Sequence, residues 1–260
     1  MHQTVGRREE FQTNWGGSLN FLLADECVPF SFTFPPVHQI VEAVRQHPQA
    51  HIWRGTKGKS LEERDIAVEF RAAPPEAALA MPFQMSHFNR ANFYGPTEFL
   101  HGFEEQFMRP WKKVLIEGGF TWERCYPNIF ISGPHCATNY HLAVSHVLAW
   151  QIHGTKIFSG LRDPERWAPL EEMVQEKHRN AVSKPDGLKA EDVLAYVMKP
   201  GDVLWNQFLT PHWVDATDEV ACSISLSHGG LRWRGKLCHR EERLEAWWVS
   251  HPEERWKKPY

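Results

Sequence analysis

Apolar positions follow a helical period in the first half of the chain. Between residues 35 and 49 they recur three or four positions apart between flanking prolines, which predicts a helix. Residues 96–119 predict a longer helix that breaks near Pro110 and ends at a pair of glycines. Residues 65–70 instead alternate apolar and polar side chains, which predicts a strand. Residues 1–125 are therefore predicted to form a helical or mixed region that packs on the remainder of the chain.

The period changes near residue 126. From there to residue 228, short β-branched or aromatic runs succeed one another, separated by glycine, proline and polar residues. One helical insert, residues 163–180, interrupts them. Closely spaced short strands are typical of an antiparallel barrel or sandwich, so residues 126–228 are predicted to form a β core. Residues 229–260 complete the same domain with a C-terminal helix.

Composition and charge narrow the class of protein. The chain has 260 residues, of which 42% are hydrophobic, and a net charge of −3, so it can bury a large core. That balance gives no electrostatic basis for binding a nucleic acid polymer or an anionic membrane. No apolar run approaches the roughly 18 residues of a transmembrane helix, and the N-terminus lacks the apolar segment of a signal peptide. The five cysteines are widely spaced and form no CxxC, which favours a reduced, cytoplasmic protein.

Candidate metal ligands lie in two separate stretches of the β region. Residues 138–156 read TNYHLAVSHVLAWQIHGTK, and within a strand His141 and Ala143 would face the same side. Residues 198–217 read MKPGDVLWNQFLTPHWVDAT, so His212 comes after a Pro-Gly-Asp turn and one strand. Two barrel strands far apart in sequence can direct side chains at one interior point, and neutral imidazoles are suitable ligands for ferrous iron. His141 and His212 are therefore the predicted metal ligands.

These motifs resemble those of the JmjC and cupin-like iron(II)/2-oxoglutarate oxygenases over residues 126–228. Those enzymes typically read TPLHYD, then PGDVLYIPPGWWH, then SIS, where this chain reads TNYHLA, PGDVLWNQFLTPHW and CSIS. The resemblance implies a mostly β fold with flanking helices, built on a double-stranded β-helix (jelly-roll) barrel, with His141 and His212 on iron(II). Thr138 and Lys156 fall where these enzymes hold the distal carboxylate of 2-oxoglutarate, which charge-assisted hydrogen bonds can bind.

The chain departs from the oxygenase pattern at Ala143, where the family places the acid of its HxD motif. Neither neighbour, Leu142 or Val144, can supply a carboxylate. The iron(II)/2-oxoglutarate halogenases carry HxA or HxG at this point, and a halide binds iron where the carboxylate would lie. The methyl group leaves a volume that chloride can fill, and chloride restores the missing negative charge. The resemblance therefore implies a halogenase, in the first place a chlorinase, that uses iron(II), 2-oxoglutarate, dioxygen and chloride on a small-molecule substrate.

Two other functions fit the same residues. The chain could be a 2-oxoglutarate-dependent hydroxylase or desaturase with a two-histidine iron site. It could also be a catalytically silent cupin-like protein that only binds ligands. The retention of Thr138 and Lys156 argues against a loss of activity.

Four further residues are candidates for contacts around the metal or with the substrate: Asn128, His146, Trp150 and Trp213. Asn128 matches a polar position on the strand before the motif, and strand pairing is its alternative role. His146 has the wrong parity to share a strand face with His141, unless a turn intervenes. The two tryptophans lie in barrel segments, where they would face either the cavity or the core.

The C-terminal residues 238–256 predict a helix with Leu244, Trp247 and Trp248 on one side and Trp256 near its end. Such a helix needs a partner surface, either the N-terminal region of the same chain or the same helix of a second copy. Because JmjC-type hydroxylases often dimerise through C-terminal helices, we expect a homodimer with a self-complementary interface.

Overall fold

The secondary structure alternates short helices and strands up to residue 121 and is mostly strand from residue 124 to residue 233. The structure is a computed structural model that describes residues 3–54, 64–87, 93–180 and 183–255. The strands are β1 Thr4–Val5, β2 Phe21–Leu23, β3 His51–Arg54, β4 Arg64–Asp65, β5 Gln84–His87, β6 Phe120–Thr121, β7 Arg124–Ser132, β8 Ala137–His141, β9 His146–His153, β10 Lys156–Leu161, β11 Val193–Met198, β12 Val203–Asn206, β13 His212–Ala216, β14 Ala221–Gly229 and β15 Arg232–Trp233. The helices are α1 Arg8–Asn14, α2 Val37–Arg45, α3 Ala67–Ala72, α4 Pro75–Ala80, α5 Arg109–Glu117, α6 Pro164–Trp167, α7 Leu170–Met173, α8 Glu176–Asn180 and α9 His239–Ser250.

Two sheets enclose the centre of the protein. The larger has nine strands in the order β1-β2-β12-β9-β14-β7-β5-β3-β4, and the smaller has four in the order β11-β10-β13-β8. A separate two-stranded ladder joins β15 to β6. Side chains from the nine-stranded sheet and the four-stranded sheet line one cavity of about 240 Å³, so these two sheets face each other across it. This is the arrangement of a jelly-roll barrel.

The two faces of the larger sheet differ because side chains alternate along each strand. On β9, Val147, Ala149 and Gln151 line the cavity. Leu148 and Trp150 lie on the opposite face and are buried in the hydrophobic core. The outer face of the sheet therefore holds most of the apolar core, and the inner face is free to carry polar groups.

The N-terminal region extends the larger sheet at both edges. β2 pairs with β12 at one edge, and β5 pairs with β7 near the other. The predicted helix between residues 35 and 49 is present as α2. Loop and helix aromatics from this region cover the outer face around Trp150, with ring centroids 5.2 Å away for Phe30 and 4.9 Å for Phe107.

The predicted strand at residues 65–70 is wrong, because only β4 at Arg64–Asp65 is extended there and α3 begins at Ala67. Ile66 and Phe70 are both buried, whereas Val68 between them is 84% exposed. In a strand, all three would share one face. Positions four apart share a face of a helix, so burial selects Ile66 and Phe70 and leaves Val68 in solvent.

The predicted long helix forms only in its second half. A π-helical turn at Glu104–Met108 runs directly into α5, with Pro110 in the first turn of α5. Proline is tolerated there because first-turn N–H groups have no α-helical partner. The predicted break is therefore a change of helix type. The predicted insert at residues 163–180 is also helical, as the three short helices α6, α7 and α8.

The C-terminal helix α9 packs against its own chain. Leu244 is fully buried, and Trp247 and Trp248 are partly buried against the main hydrophobic core. Trp256 lies outside the described residues. Dimerisation through this helix stays a prediction. Within the described parts of the chain, no helix has both the length and the apolar character needed to cross a membrane.

Candidate active site

The two predicted ligands lie side by side at one end of the cavity. β8 ends at His141 and β13 begins at His212, and these residues are direct cross-strand partners. Their imidazole centroids are 4.1 Å apart. Antiparallel pairing thus brings together two side chains that are separated by 71 positions in the sequence.

Hydrogen bonds leave one nitrogen of each ring available to a metal. His141 Nδ1 lies 2.7 Å from the Asn139 carbonyl oxygen, and His212 Nδ1 lies 3.1 Å from the Thr210 carbonyl oxygen. A carbonyl oxygen can only accept, so each Nδ1 carries the proton and each Nε2 keeps its lone pair. Metal-binding histidines usually have their other ring nitrogen held in this way.

The environment also keeps both rings neutral, which is the form that binds a metal. Burial lowers the pKa of His141, and burial together with the neighbouring His141 lowers the pKa of His212 well below its usual value. Phe158 stacks on His212 at 5.0 Å with an interplanar angle of 9°, which fixes the plane of that ring.

Ala143 lies two residues beyond His141, in the loop between β8 and β9. The predicted strand does not reach it, because β8 ends at His141. Ala143 nevertheless lines the same cavity as both histidines. Its carbonyl oxygen accepts a hydrogen bond from the Leu209 N–H at 2.9 Å, and Arg240 Nη1 donates to the Leu209 carbonyl at 3.0 Å. The loops that follow His141 and precede His212 are therefore tied together.

No aspartate or glutamate among the described residues lines this cavity. Asp215, the acid nearest to His212 in sequence, pairs with Ile157 and Ala137 in the smaller sheet and does not line the cavity. The carboxylate missing at Ala143 is thus not replaced by another side chain in the described part of the chain. Two imidazoles leave more open coordination positions than a two-histidine, one-carboxylate set.

A buried lysine lies toward the other end of the cavity. Lys156 is 4% exposed, and its Nζ donates to the Phe130 carbonyl at 3.1 Å and to Ser223 Oγ at 3.2 Å. Burial lowers the pKa of Lys156 to about 8. His212 pairs with Gly160, which is four residues along β10 from Lys156. His212 and Lys156 are therefore about 13 Å apart along the direction of the strands.

Thr138 lines the cavity on the same side as Lys156. Thr138 and Lys156 lie on the two neighbours of β13, opposite Val214 and Ala216 respectively. A hydroxyl and an ammonium that flank one strand can hold a carboxylate between them. The structure therefore brings together His141, His212, Ala143, Thr138 and Lys156, as the sequence motifs require.

Sequence reasoning missed a row of polar groups on the larger sheet. Ser223, Ser225 and Ser227 alternate along β14 and line the cavity. Asn128, one of the predicted candidates, also lines it and donates from Nδ2 to Ser227 Oγ at 3.1 Å. The signal was present in the alternation of SISLS, where serine takes every second position.

Trp150 and Trp213 do not line the cavity. Trp150 faces the core, with Phe34 and Phe107 at ring centroid distances of 5.2 and 4.9 Å. Trp213 lies on the outer face of the smaller sheet, beside Tyr140 and under Lys184 Nζ at 4.2 Å. These positions remove both tryptophans from the candidate substrate contacts. Side chains alternate between the two faces of a strand. Val147 on β9 and His212 on β13 face the cavity, so Trp150 and Trp213, an odd number of positions away, face outward.

The core position of Trp150 leads to a stability prediction. Trp150→Ala is expected to lower the free energy of unfolding by about 3–5 kcal/mol, since it leaves a large cavity among aromatic rings. Urea denaturation measures the change. Ligand binding in the cavity should stay at the wild-type level, because Trp150 lies on the opposite face of β9. Unchanged stability combined with weaker binding would show that Trp150 faces the ligand instead.

His146 also points away from the cavity, into a second cluster of metal-ligating side chains. Ligand atoms of His146, Cys238 and Glu241 lie within 4.8 Å of one another, and all three side chains are buried. The Phe208 N–H donates to His146 Nδ1 at 3.3 Å, so the neutral ring carries its proton on Nε2. A protonated Nε2 has no lone pair for a metal. We therefore assign His146 a structural role, in holding the loop that leads to His212.

Comparison with solved structures finds similarity to YcfD, a ribosomal oxygenase from Escherichia coli. One YcfD structure has a TM-score of 0.54 at 15% sequence identity and covers 97% of this chain and 59% of YcfD. An X-ray structure of the same protein has a TM-score of 0.55 at 15% identity and covers 100% and 62%. A YcfD complex with cobalt and 2-oxoglutarate has a TM-score of 0.51 at 15% identity and covers 96% and 58%.

At this level of identity, the similarity establishes the fold. The prediction of a mostly β, jelly-roll fold is confirmed. The chain spans about three fifths of the length of the YcfD structures, between 58% and 62% in these three comparisons. No protein-family model matches the sequence, and no curated protein matches it.

Proposed function

We propose that this protein is an iron(II)/2-oxoglutarate-dependent halogenase, in the first place a chlorinase, that acts on an unactivated C–H bond of a small molecule. The observation that carries the proposal is the composition of the cavity wall. Two imidazoles with free Nε2 atoms and a buried lysine line it, and no acidic side chain of the described residues does. An external anion can therefore occupy the position that a protein carboxylate takes in the related oxygenases.

The residues fit the cofactor that the fold implies. His141 and His212 would hold the iron, and Lys156 and Thr138 would hold the distal carboxylate of 2-oxoglutarate. The spacing of about 13 Å between the histidine and lysine levels leaves room for a five-carbon diacid and the metal between them. The known YcfD complex with cobalt and 2-oxoglutarate supports this assignment by fold.

When bound there, iron(II) with 2-oxoglutarate and dioxygen supplies the oxidising power that removes a hydrogen atom from an unactivated carbon. The overall reaction balances when R–H, 2-oxoglutarate, dioxygen, chloride and one proton give R–Cl, succinate, carbon dioxide and water. The methyl group of Ala143 leaves space for the halide beside the histidines. The hydrogen bond from the Leu209 N–H to the Ala143 carbonyl ties Ala143 to the loop that precedes His212.

A 2-oxoglutarate-dependent hydroxylase is the second candidate. The fold supports it, because YcfD, which shares the fold, is described as an oxygenase. In that case water or hydroxide would occupy the position beside Ala143. Lys156 and Thr138 would keep the same role in both reactions.

The deciding experiment incubates purified protein with ferrous iron, 2-oxoglutarate, oxygen and a panel of amino acids, nucleosides, nucleotides, terpenoids and alkaloids. Chloride is present in one arm and replaced by a non-coordinating anion in the other. Mass spectrometry should detect a monochlorinated product only in the chloride arm. Hydroxylated product alone, in equal amounts in both arms, would contradict the halogenase and support the hydroxylase.

The buried lysine gives a pH dependence that does not require a known substrate. The ammonium form binds the carboxylate, and with a pKa of about 8 it is present below that pH and lost above it. The half-saturating concentration of 2-oxoglutarate should therefore rise about tenfold between pH 7 and pH 9. Neighbouring Cys222, whose burial raises its pKa to about 12, stays a neutral thiol across this range.

Tryptophan fluorescence during 2-oxoglutarate titrations, in the presence of cobalt, measures this dependence. Lys156→Arg is the matched control, because a guanidinium keeps its charge at pH 9. Its affinity should be independent of pH across the same range. A wild-type affinity that is also flat would show that Lys156 does not bind the co-substrate as an ammonium.

A further inference from the structure

Asn206 is the last residue of β12, and its side chain forms part of the cavity wall. It is 1% exposed, and neither its Nδ2 nor its Oδ1 has a hydrogen-bond partner among the described residues. A buried amide loses its hydrogen bonds to water on folding, and leaving both ends unpaired destabilises the protein. A bound ligand, ion or water molecule in the cavity can supply the missing partner.

The position of Asn206 places it at the metal end of the cavity. It pairs with Val147, the second residue of β9, and the five-residue loop after it ends at His212. A short loop connects His141, the last residue of β8, to the start of β9, where Val147 lies. Lys156 lies near the other end of β9, because β10 begins at Lys156 just after β9 ends. Asn206 and the histidines therefore share one end of the barrel, on opposite walls.

The backbone after Asn206 is held firmly, so the amide cannot easily move away from the cavity. The Gln207 N–H donates to Asn20 Oδ1 at 2.9 Å, and Gln207 Nε2 donates to the Asn14 carbonyl at 2.7 Å. The Phe208 N–H is fixed on His146 Nδ1. These bonds anchor the strand end on the N-terminal region of the chain.

We propose that Asn206 donates a hydrogen bond from Nδ2 to an anionic ligand of the metal at this end of the cavity. This inference rests on the proposed function. An amide N–H facing an anion forms a charge-assisted hydrogen bond, which is stronger than a neutral one. Lys156, the cationic side chain among the described residues that line the cavity, is occupied at the other end. Asn206 thus offers the anion a hydrogen-bond donor, which the two histidines do not, because their Nε2 atoms carry no proton.

Two anions have this chemistry, a halide and the carboxylate of 2-oxoglutarate that lies next to its keto group. Separate titrations distinguish them. Wild type, Asn206→Leu and Asn206→Thr are loaded with cobalt(II), and the visible absorption of cobalt is followed during titration with chloride and, in a second series, with 2-oxoglutarate. Leucine has nearly the shape of asparagine without a donor, and threonine keeps one O–H donor.

We expect Asn206→Leu to require about tenfold more of one anion for half-saturation, and Asn206→Thr to recover part of that loss. A shift confined to chloride identifies the halide as the partner, and a shift confined to 2-oxoglutarate identifies the carboxylate. Either result supports the proposal. Unchanged affinities for both anions in the leucine variant would overturn it.

Thermal unfolding without added anion separates a ligand-binding role from a structural one. Asn206→Leu should unfold at the same temperature as wild type or at a higher one, because it removes an unpaired buried amide. A lower unfolding temperature for both variants would overturn the proposal, since the amide would then have a partner within the protein. If wild type binds neither anion, the proposed function itself fails, and this outcome is distinct from a variant that binds as wild type does.

Discussion

Ala143→Asp is expected to abolish chloride incorporation, with at least about a 100-fold loss of chlorinated product. This corresponds to about 2.7 kcal/mol of lost transition-state stabilisation. The residue lies beside His141 and His212 on the wall of a cavity that no acid of the described residues lines. A carboxylate attached there would compete with free chloride at a much higher effective concentration. The new side chain would complete a two-histidine, one-carboxylate set and leave the halide no position.

Ala143→Gly is the matched control for this substitution. It adds no ligand and keeps the open volume, so chlorination should persist at a rate near that of wild type. The assay measures chlorinated and hydroxylated product together with succinate, which shows whether the variant still turns over. A chlorinated product that persists unchanged in Ala143→Asp would show that the halide does not bind beside residue 143. Hydroxylated product from Ala143→Asp would fit a restored oxygenase.

Lys156→Met is expected to raise the half-saturating concentration of 2-oxoglutarate by about 100-fold. Truncating one partner of a buried, hydrogen-bonded charge pair costs about 2–5 kcal/mol, and about 2.7 kcal/mol corresponds to a factor of 100. Lys156 is buried between the two sheets, with hydrogen bonds to the Phe130 carbonyl and to Ser223. Methionine has a similar length but no charge. Thr138 would remain as a neutral donor and cannot balance a carboxylate by itself.

Two controls separate loss of the ligand from loss of the fold. Lys199→Met changes an exposed lysine on the Pro-Gly-Asp turn and should leave the affinity for 2-oxoglutarate unchanged. The free energy of unfolding of Lys156→Met without ligand should equal or exceed that of wild type, because a buried ammonium is removed. Calorimetry with cobalt and 2-oxoglutarate measures the affinity. Equal affinities for Lys156→Met and wild type would place the co-substrate elsewhere.

Local motifs were sufficient to predict which residues come together around the central cavity. Thr138, His141 and Lys156 lie within one run of 19 residues, from 138 to 156, and His212 comes ten positions after a Pro-Gly-Asp turn. Their offsets match a known pattern, and the folded chain brings them around one cavity. The short β-branched and aromatic runs after residue 126 likewise predicted the β core, because the residues that indicate a strand lie close together in the sequence. Burial was harder to predict, as the wrong strand at residues 65–70 demonstrates.

The amino-acid sequence by itself determined which groups can do chemistry here: two imidazoles, a lysine, a hydroxyl and an alanine where a carboxylate is usual. Only the tertiary structure decided which side chains share the cavity with them. The side chain of Trp150 packs in the hydrophobic core, and that of Asn206 lines the cavity. These outcomes depend on which strands are neighbours and in what register. Contacts between residues distant in sequence set that register, and a shift of one residue would exchange the two faces of a strand.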